Sequence, residues 1–240
     1  IYTNQEIEEA RNSKVKDRRV YKSRRINNFR ELVSYSVEHY AEHIAYKYKN
    51  KPSDKEIIKK TYAEAGMDIK AFGTEMLNRG AKKIAVIGKN RYEWCVTYLG
   101  TTTSGLIIVP LDKLLPDREI ENLIRRSGAD TVVCDEKYLS AIKSMKESEG
   151  NNLKTIICMD KIDDKDVEYW HDVKENGKKL LDKGDKKYEK VEIDENKMSI
   201  LLFTSGTTAE AKGVMLSQKN ICVNIEDMAT YSKMYDTDTI

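Results

Sequence analysis

The stretch KKIAVIGKNRYEWCVTYLGTTTSGLIIVPLD, residues 82–112, decides the fold. It begins with the short apolar run IAVI between charged residues, which is typical of a buried β-strand. The segment RYEWCVTYLGTTTSG (91–105) has helical character, and LIIVPLD (106–112) is a second buried strand. A strand, a helix and a strand joined by short connections predict a parallel β-α-β unit.

The same alternation continues toward the C-terminus. PDREIENLIRRSGA (116–129) begins with proline and ends near glycine, as helices often do, and YLSAIKSMKES (138–148) is a further helix. DTVVCD (130–135) and KTIICMD (154–160) are two further strands, so four buried strands precede residue 160. We therefore predict an α/β fold, a layered domain built on a parallel sheet with helices on both faces.

The segments on either side of this region are less regular. NFRELVSYSVEHYAEHIAY (28–46) has apolar residues at helical spacing after Asn28, a suitable N-cap. EIIKKTYAEAGMDIKAFGTEMLNRG (56–80) is predicted to be a second helical region. Residues 161–197 are dense in charge, and we predict a surface connection that contains one helix around 171–183.

Composition limits the classes of function. The 240-residue chain is 40% hydrophobic and 34% charged, and its net charge of +2 gives no support for nucleic-acid binding. No apolar run approaches the ~20 residues of a membrane span, which leaves only a peripheral membrane contact open. The four cysteines form no C-x-x-C pair, which favours buried, reduced thiols in a cytoplasmic protein.

Residues 1–27 are predicted to form a basic N-terminal arm. Within residues 14–25, Asp17 is the one acidic residue beside seven basic ones: Lys14, Lys16, Arg18, Arg19, Lys22, Arg24 and Arg25. The arm could bind phosphates or anionic lipid, or it could be a solvated surface segment. A charge run by itself favours the solvated segment.

The stretch LLFTSGTTAEAKGVMLS, residues 201–217, has the pattern of an anion-binding loop. Glycine lets a backbone approach a ligand closely, and consecutive amide N–H groups bind anions. The side chains that add donors or charge are Thr204, Ser205, Thr207, Thr208 and Lys212. The pattern fits a polyphosphate best, with a simple hairpin loop as the alternative.

Two better-known loops do not fit this stretch. A Walker A loop requires G-x-x-x-x-G-K-[ST], whereas Gly206 and Gly213 are seven positions apart and Lys212 precedes the second glycine. A nucleophile elbow requires G-x-S-x-G, which does not surround Ser205.

The longer string LLFTSGTTAEAKGVMLSQKN (201–220) strongly resembles the signature T-S-G-T-T-G-x-P-K-G-V of AMP-forming synthetases, which include acyl-CoA synthetases, adenylation domains and luciferases. Nine of the eleven positions from Thr204 to Val214 agree. Residues 60–100 and 105–129 resemble two earlier blocks of that family. The motifs N-R-x-E-W and V-P-L-D within these blocks are most similar to those of long-chain fatty acid–CoA ligases.

The resemblance implies that residues 28–240 are the N-terminal portion of the large domain of an adenylate-forming enzyme. In that family a carboxylate attacks the α-phosphorus of ATP, and a thiol, usually that of coenzyme A, then displaces AMP. ATP, Mg²⁺ and coenzyme A are thus implied. The implied nucleotide-binding residues are Thr204, Ser205, Gly206, Thr207, Thr208, Ala209, Glu210, Ala211, Lys212 and Gly213. Lys212 is the implied catalytic residue, and Thr204 the implied Mg²⁺ ligand.

Two positions depart from the family pattern. Ala209 replaces the usual glycine, and Ala211 replaces the usual proline. Neither removes a phosphate donor, so we expect the loop still to bind. The family's later elements are expected beyond Ile240, which predicts an incomplete fragment that is inactive alone. The alternative is a short, non-catalytic relative that binds a nucleotide or a partner.

HYAEH, residues 39–43, supplies a competing hypothesis, because it matches the zinc motif H-x-x-E-H. On a continuous helix His39 and His43 would lie one turn apart and could share a metal. The motif also needs a distant acidic ligand, which the sequence does not identify. His171 has no partner pattern and is predicted to be a surface residue.

Three other residues admit both a functional and a structural interpretation. Asp112 follows a strand, where active sites of α/β proteins often lie, but a turn or helix-cap role is favoured. Tyr92 and Trp94 could line an acyl tunnel, although packing of their helix against the sheet is favoured.

Overall fold

The computed structural model describes residues 5, 21–51, 53–204, 211–232, 235 and 238. In chain order the elements are α1 (Phe29–Tyr40), β1 (Ile44–Tyr48), β2 (Ile58–Thr61), α2 (Tyr62–Asn78), β3 (Lys83–Ile87), α3 (Tyr92–Thr103), β4 (Ile107–Pro110), α4 (Asp117–Ser127), β5 (Thr131–Cys134), a 3₁₀ turn (Glu136–Tyr138), α5 (Leu139–Glu147), β6 (Thr155–Cys158), β7 (Glu168–Tyr169), α6 (Trp170–Asp182), α7 (Lys187–Lys190), β8 (Met198–Thr204), β9 (Lys212–Ser217) and α8 (Gln218–Tyr231).

The main sheet has the strand order β7-β6-β5-β3-β4-β8-β9. Its neighbouring strands are parallel except for β8 and β9, which are antiparallel. The four strands predicted before residue 160 are therefore confirmed as β3, β4, β5 and β6. Because parallel strands end at the same edge, the residues that follow them meet at one carboxyl edge of the sheet.

Helices cover both faces of this sheet, as predicted. Alternate residues of β3 separate the two layers, since Ile87 belongs to one apolar cluster and Val86 to the other. The first cluster includes Ile120 of α4 and Ile142 of α5. The second includes residues of α2, α3 and α6. The α/β prediction is confirmed.

The boundaries of the first two predicted helices were wrong. Helix α1 ends at Tyr40, and residues 44–48 form β1, which pairs with β2 in a separate antiparallel hairpin. A capping box at Thr61 starts α2, because the Thr61 side chain accepts a hydrogen bond from the Glu64 amide and Glu64 accepts one from the Thr61 amide. Pairing between two short neighbouring strands thus overrides the local helical spacing.

The charged segment 161–197 is more than a surface connection with one helix. It adds β7 to the sheet edge and contains both α6 and α7. Trp170 is fully buried, stacks on Phe72 and donates a hydrogen bond from Nε1 to Thr97 Oγ1 at 2.9 Å. Tyr188 of α7 is also buried. Buried aromatic residues thus help to anchor a segment whose average composition is polar.

The basic arm lies mostly outside the described residues, including Lys14, Lys16, Arg18 and Arg19. Its described end contacts the domain. Arg24 forms an ion pair with Glu31 at 3.1 Å and lies 3.8 Å from the centroid of the Tyr35 ring. These contacts tie residue 24 to α1.

The thiols follow the predicted pattern in most respects. The cysteines are all free. Cys134, Cys158 and Cys222 are buried, whereas Cys95 is half-buried. None of the described helices combines the length and the apolar character that a membrane crossing requires.

Gly177 allows α6 to pack closely on α2. A Cβ atom at position 177 would overlap the carbonyl oxygen of Ala71 in the backbone of α2. Since backbone cannot move aside as a side chain can, the missing Cβ determines how near the two helices approach. This contact holds the charged segment against the domain.

We predict that Gly177→Ala destabilises the protein, although alanine favours a helix by about 1 kcal/mol over glycine. The overlap with Ala71 should outweigh this gain and lower the free energy of unfolding by about 2 kcal/mol or more. Urea unfolding measures the change. The control is Asn176→Ala at the exposed neighbouring position, which should be neutral or slightly stabilising. A stabilised Gly177→Ala variant would contradict the close packing.

Candidate functional site

The predicted anion-binding loop begins at the carboxyl edge of the main sheet. β8 runs parallel to β4 and antiparallel to β9, and Thr204 pairs directly with Lys212. The intervening residues Ser205, Gly206, Thr207, Thr208, Ala209 and Glu210 lie outside the described residues. The structure therefore describes both ends of the loop, Thr204 and residues 211–213. We call Phe203, Thr204 and residues 211–213 the loop stem.

Thr204 and Lys212 are brought together by strand register. Both residues are exposed. Cross-strand partners have Cβ atoms about 4.5–5.5 Å apart and point to the same face of the sheet. A hydroxyl group and a cation consequently flank the mouth of the loop, which is an arrangement suited to an anionic ligand.

An apolar base supports the loop stem. Phe203 and Ala211 pack against the cluster that contains Ile87 and Val109. Gly213 pairs with Phe203, and a Cβ atom there would lie 3.2 Å from Cδ1 of Leu201, which is closer than an ordinary contact. The second glycine of the motif thus leaves room for the Leu201 side chain beneath β9.

Arg126 is a stem contact that the sequence analysis missed. Its Nη2 donates a hydrogen bond of 2.8 Å to the Ala211 carbonyl oxygen, and its Cζ lies 5.7 Å from the centroid of the Phe203 ring. Arg126 lies in the last turn of α4, where basic residues are common because they interact well with the helix dipole. No sequence signal links it to a carbonyl 85 residues away.

A second polar cluster lies at the same edge, around Arg91 in the N-R-x-E-W segment. Arg91 Nε is 2.8 Å from Glu93 Oε2, and its Nη1 is 2.7 Å from Asp160 Oδ1 and 3.2 Å from Asp135 Oδ1. Asp135 also accepts a hydrogen bond from the Lys89 amide. These residues follow β3, β5 and β6, so one guanidinium group joins the ends of three strands. These contacts hold the strand ends together, which gives the N-R-x-E-W motif a structural role.

His171 is partly exposed, and its ring has a partner that the sequence did not indicate. Its Nε2 lies 3.2 Å from Oε1 of the buried Glu93. Burial alone raises the pKa of Glu93, but hydrogen bonds with His171 and Arg91 outweigh it and lower that pKa to about 2. The ionised carboxylate therefore links α6 to α3.

The zinc hypothesis is wrong. Helix α1 ends at Tyr40, so His39 and His43 do not share a helical face. His39 stacks on Tyr35, and the ring of His43 packs edge-on against Tyr40. Within the described part of the chain, no group of three or more His, Cys, Asp or Glu residues could hold a metal ion.

The structural interpretations of the three remaining residues are confirmed. Asp112 Oδ1 accepts a hydrogen bond of 2.9 Å from the Leu114 amide, which is a turn contact. Tyr92 is buried and donates a hydrogen bond of 2.8 Å to Asp68. Trp94 is partly buried and stacks on Tyr98 within α3.

Comparison with known proteins gives one family match. A family model described as AMP-binding enzyme matches residues 33–240. The chain is 28% identical over 193 residues to long-chain-fatty-acid–CoA ligase 5 of Rattus norvegicus, covering 73% of this chain and 27% of that protein. It is 27% identical over 188 residues to fatty acyl-CoA synthetase B of Dictyostelium discoideum, covering 74% and 27%. The chain thus spans about a quarter of the length of these relatives.

Solved structures share the fold at low sequence identity. A fatty acyl CoA synthetase of Mycobacterium tuberculosis superposes with a TM-score of 0.61 and 16% identity, covering 81% of this chain and 35% of that one. The anthranilate CoA ligase AuaEII in complex with anthranoyl-AMP gives a TM-score of 0.64 and 16% identity, covering 80% and 35%. Each similarity covers about four fifths of this chain and concerns the fold alone.

We predict that Glu93→Gln lowers the free energy of unfolding by about 1.5–3 kcal/mol at pH 7, because charged hydrogen bonds with Arg91 and His171 are weakened. A carboxyl whose pKa is depressed stabilises the fold above its ordinary value of 4.5 and loses that effect as the pH falls toward about 2. The difference in the free energy of unfolding between wild type and Glu93→Gln should therefore decrease as the pH falls through this range.

Urea unfolding at a series of pH values measures that difference. Glu56→Gln at an exposed position is the matched control and should change stability by less than about 0.5 kcal/mol. A difference for Glu93→Gln that stays constant down to the acid limit of folding would contradict the assignment.

Proposed function

The chain belongs to the AMP-binding enzyme family, and we propose that it supplies the phosphate-binding part of an AMP-forming acid–thiol ligase. The proposed reaction joins a carboxylic acid to coenzyme A with the cleavage of ATP to AMP and pyrophosphate. One observation carries the proposal: strand register sets Thr204 opposite Lys212 at the mouth of the signature loop.

The position of this loop supports the proposal. Ligands of open α/β sheets bind beyond the carboxyl ends of the strands, and β8 delivers Thr204 to that edge. The sequence of residues 204–213 supplies hydroxyl groups, backbone amides and one lysine next to it. We propose that these residues hold the β- and γ-phosphates of ATP.

The chemistry requires charge neutralisation more than a protein nucleophile. In the first step a carboxylate oxygen bonds to the α-phosphorus, and the bond from that phosphorus to pyrophosphate breaks. In the second step the thiol loses its proton to solvent and its sulfur bonds to the acyl carbon. The bond from that carbon to the phosphate oxygen of AMP breaks, and AMP leaves. We assign to Lys212 the neutralisation of the departing pyrophosphate, because a cation placed where charge develops lowers the barrier.

The Mg²⁺ site is proposed at the same loop stem. Mg²⁺ is usually held by substrate phosphates and one or two protein oxygen ligands. The exposed hydroxyl of Thr204 can supply one such oxygen beside the phosphates. The ion would add positive charge to that of Lys212.

The substrate class is proposed from the relatives. The names of the two curated relatives above refer to fatty acids, and the N-R-x-E-W and V-P-L-D wording points to the same group. We therefore propose a long-chain fatty acid as the carboxylate. A cytoplasmic location remains a prediction.

We predict that Lys212→Ala lowers the rate of carboxylate-dependent exchange between pyrophosphate and ATP by about 10²–10³-fold, as for loss of one charge-stabilising group. The assay uses the natural full-length protein that carries this sequence, with Mg²⁺ and carboxylates of graded length. Thermal unfolding should change little, because Lys212 is exposed.

Lys219→Ala is the matched control, since Lys219 is an exposed lysine of α8 that pairs with Glu195 at 3.5 Å. It should leave the exchange rate unchanged. Wild-type protein that binds nucleotide without exchange would instead support the non-catalytic relative. Full activity in Lys212→Ala would contradict the role of this lysine.

A further inference from the structure

We propose that Arg126 is a positioning residue for the loop stem, where it replaces the restraint that a proline at position 211 would supply. The inference rests on the proposed function, because its consequence is the orientation of Lys212 toward phosphate. It extends the site to α4, which contributes none of the residues in the signature loop.

The guanidinium group of Arg126 contacts both strands of the stem. On the β9 side, Nη2 donates to the Ala211 carbonyl oxygen at 2.8 Å. On the β8 side, Cζ lies 5.7 Å from the centroid of the Phe203 ring, within the range of a cation–π contact. A single side chain thus joins α4 to the two strands at the base of the loop.

The hydrogen bond controls more than the position of one oxygen atom. The carbonyl group of Ala211 and the amide group of Lys212 belong to the same planar peptide unit. Holding the oxygen therefore fixes the plane in which the Lys212 amide lies. Lys212 is the first residue of β9. The hydrogen bond therefore sets the direction in which the chain leaves the loop and enters this strand.

Position 211 needs such a restraint because it holds alanine. A proline would fix its own φ angle near −65° and restrict the residue before it. Alanine imposes neither limit, and its side chain contributes only packing against the apolar base. An external hydrogen bond to the carbonyl oxygen can replace the missing restriction.

The adjacent arginine shows that this contact is specific to one side chain. Arg125 is directed elsewhere, because its Nη1 donates to the Glu149 carbonyl oxygen at 2.6 Å beyond the end of α5. Both arginines lie in the last turn of α4 and can interact with its dipole. Only Arg126 of the two contacts the stem among the described residues, so Arg125 provides a matched control.

The test measures the KM for ATP, kcat and thermal stability of the natural full-length protein by pyrophosphate exchange and calorimetry. We expect Arg126→Ala to raise the KM for ATP by about 10-fold, the effect of losing one charged hydrogen bond. Arg126→Lys should recover part of this loss, because lysine keeps the charge but not the planar donor group. Arg125→Ala should leave the KM unchanged.

A second substitution separates positioning from general stability. If Arg126 replaces a proline restraint, Arg126→Ala should raise the KM much less in an Ala211→Pro background than in wild type, which is a non-additive pair. An equal increase in both backgrounds would overturn the proposal. A loss of thermal stability with unchanged KM would also overturn it.

Amide hydrogen exchange distinguishes failure of the inference from failure of the proposed function. Without nucleotide, Arg126→Ala should accelerate exchange at Lys212 and Gly213, whereas Arg125→Ala should not. Wild-type protein that catalyses no pyrophosphate exchange would contradict the proposed function. Faster amide exchange in Arg126→Ala would still show that Arg126 holds the loop stem. Unchanged amide exchange in Arg126→Ala would overturn that role.

Discussion

The antiparallel pairing of β8 with β9 is the constraint on which the site depends. Every other neighbouring pair in the main sheet is parallel, so this hairpin is where the chain turns back at the carboxyl edge. The turn sets Thr204 against Lys212 and Phe203 against Gly213. The same register that builds the edge of the sheet therefore also assembles the mouth of the candidate phosphate site.

Two separate polar systems organise the carboxyl edge. Around Arg91, the guanidinium group ties together the ends of three strands through Asp135 and Asp160, and the depressed pKa of the buried Glu93 shows that its charged form is the one the fold stabilises. At the loop stem, by contrast, Thr204 and Lys212 are exposed. The charged groups around Arg91 are paired with one another. Lys212 in the loop stem is instead accessible to solvent, as a residue that binds a ligand must be.

Local patterns predicted most of the fold because its strands are short, apolar and bounded by turn residues. The four strands from β3 to β6 and the helices between them follow directly from such patterns. The hairpin of β1 and β2 did not, because pairing across residues 49–57 overrides helical spacing. The burial of Trp170 was also missed, since it depends on a partner, Thr97, that is distant in the chain.

The candidate site was only partly accessible from sequence. The motif contains Thr204 and Lys212, and strand register brings them together, but Arg126 joins the site through one long-range hydrogen bond.

The most direct measurement is a crystal structure of the natural full-length protein with Mg²⁺ and a non-hydrolysable ATP analogue. We predict that the β- and γ-phosphates lie within hydrogen-bond distance of Lys212 Nζ and the amides of residues 205–208. Phosphates bound elsewhere, with no contact to the stem, would contradict it.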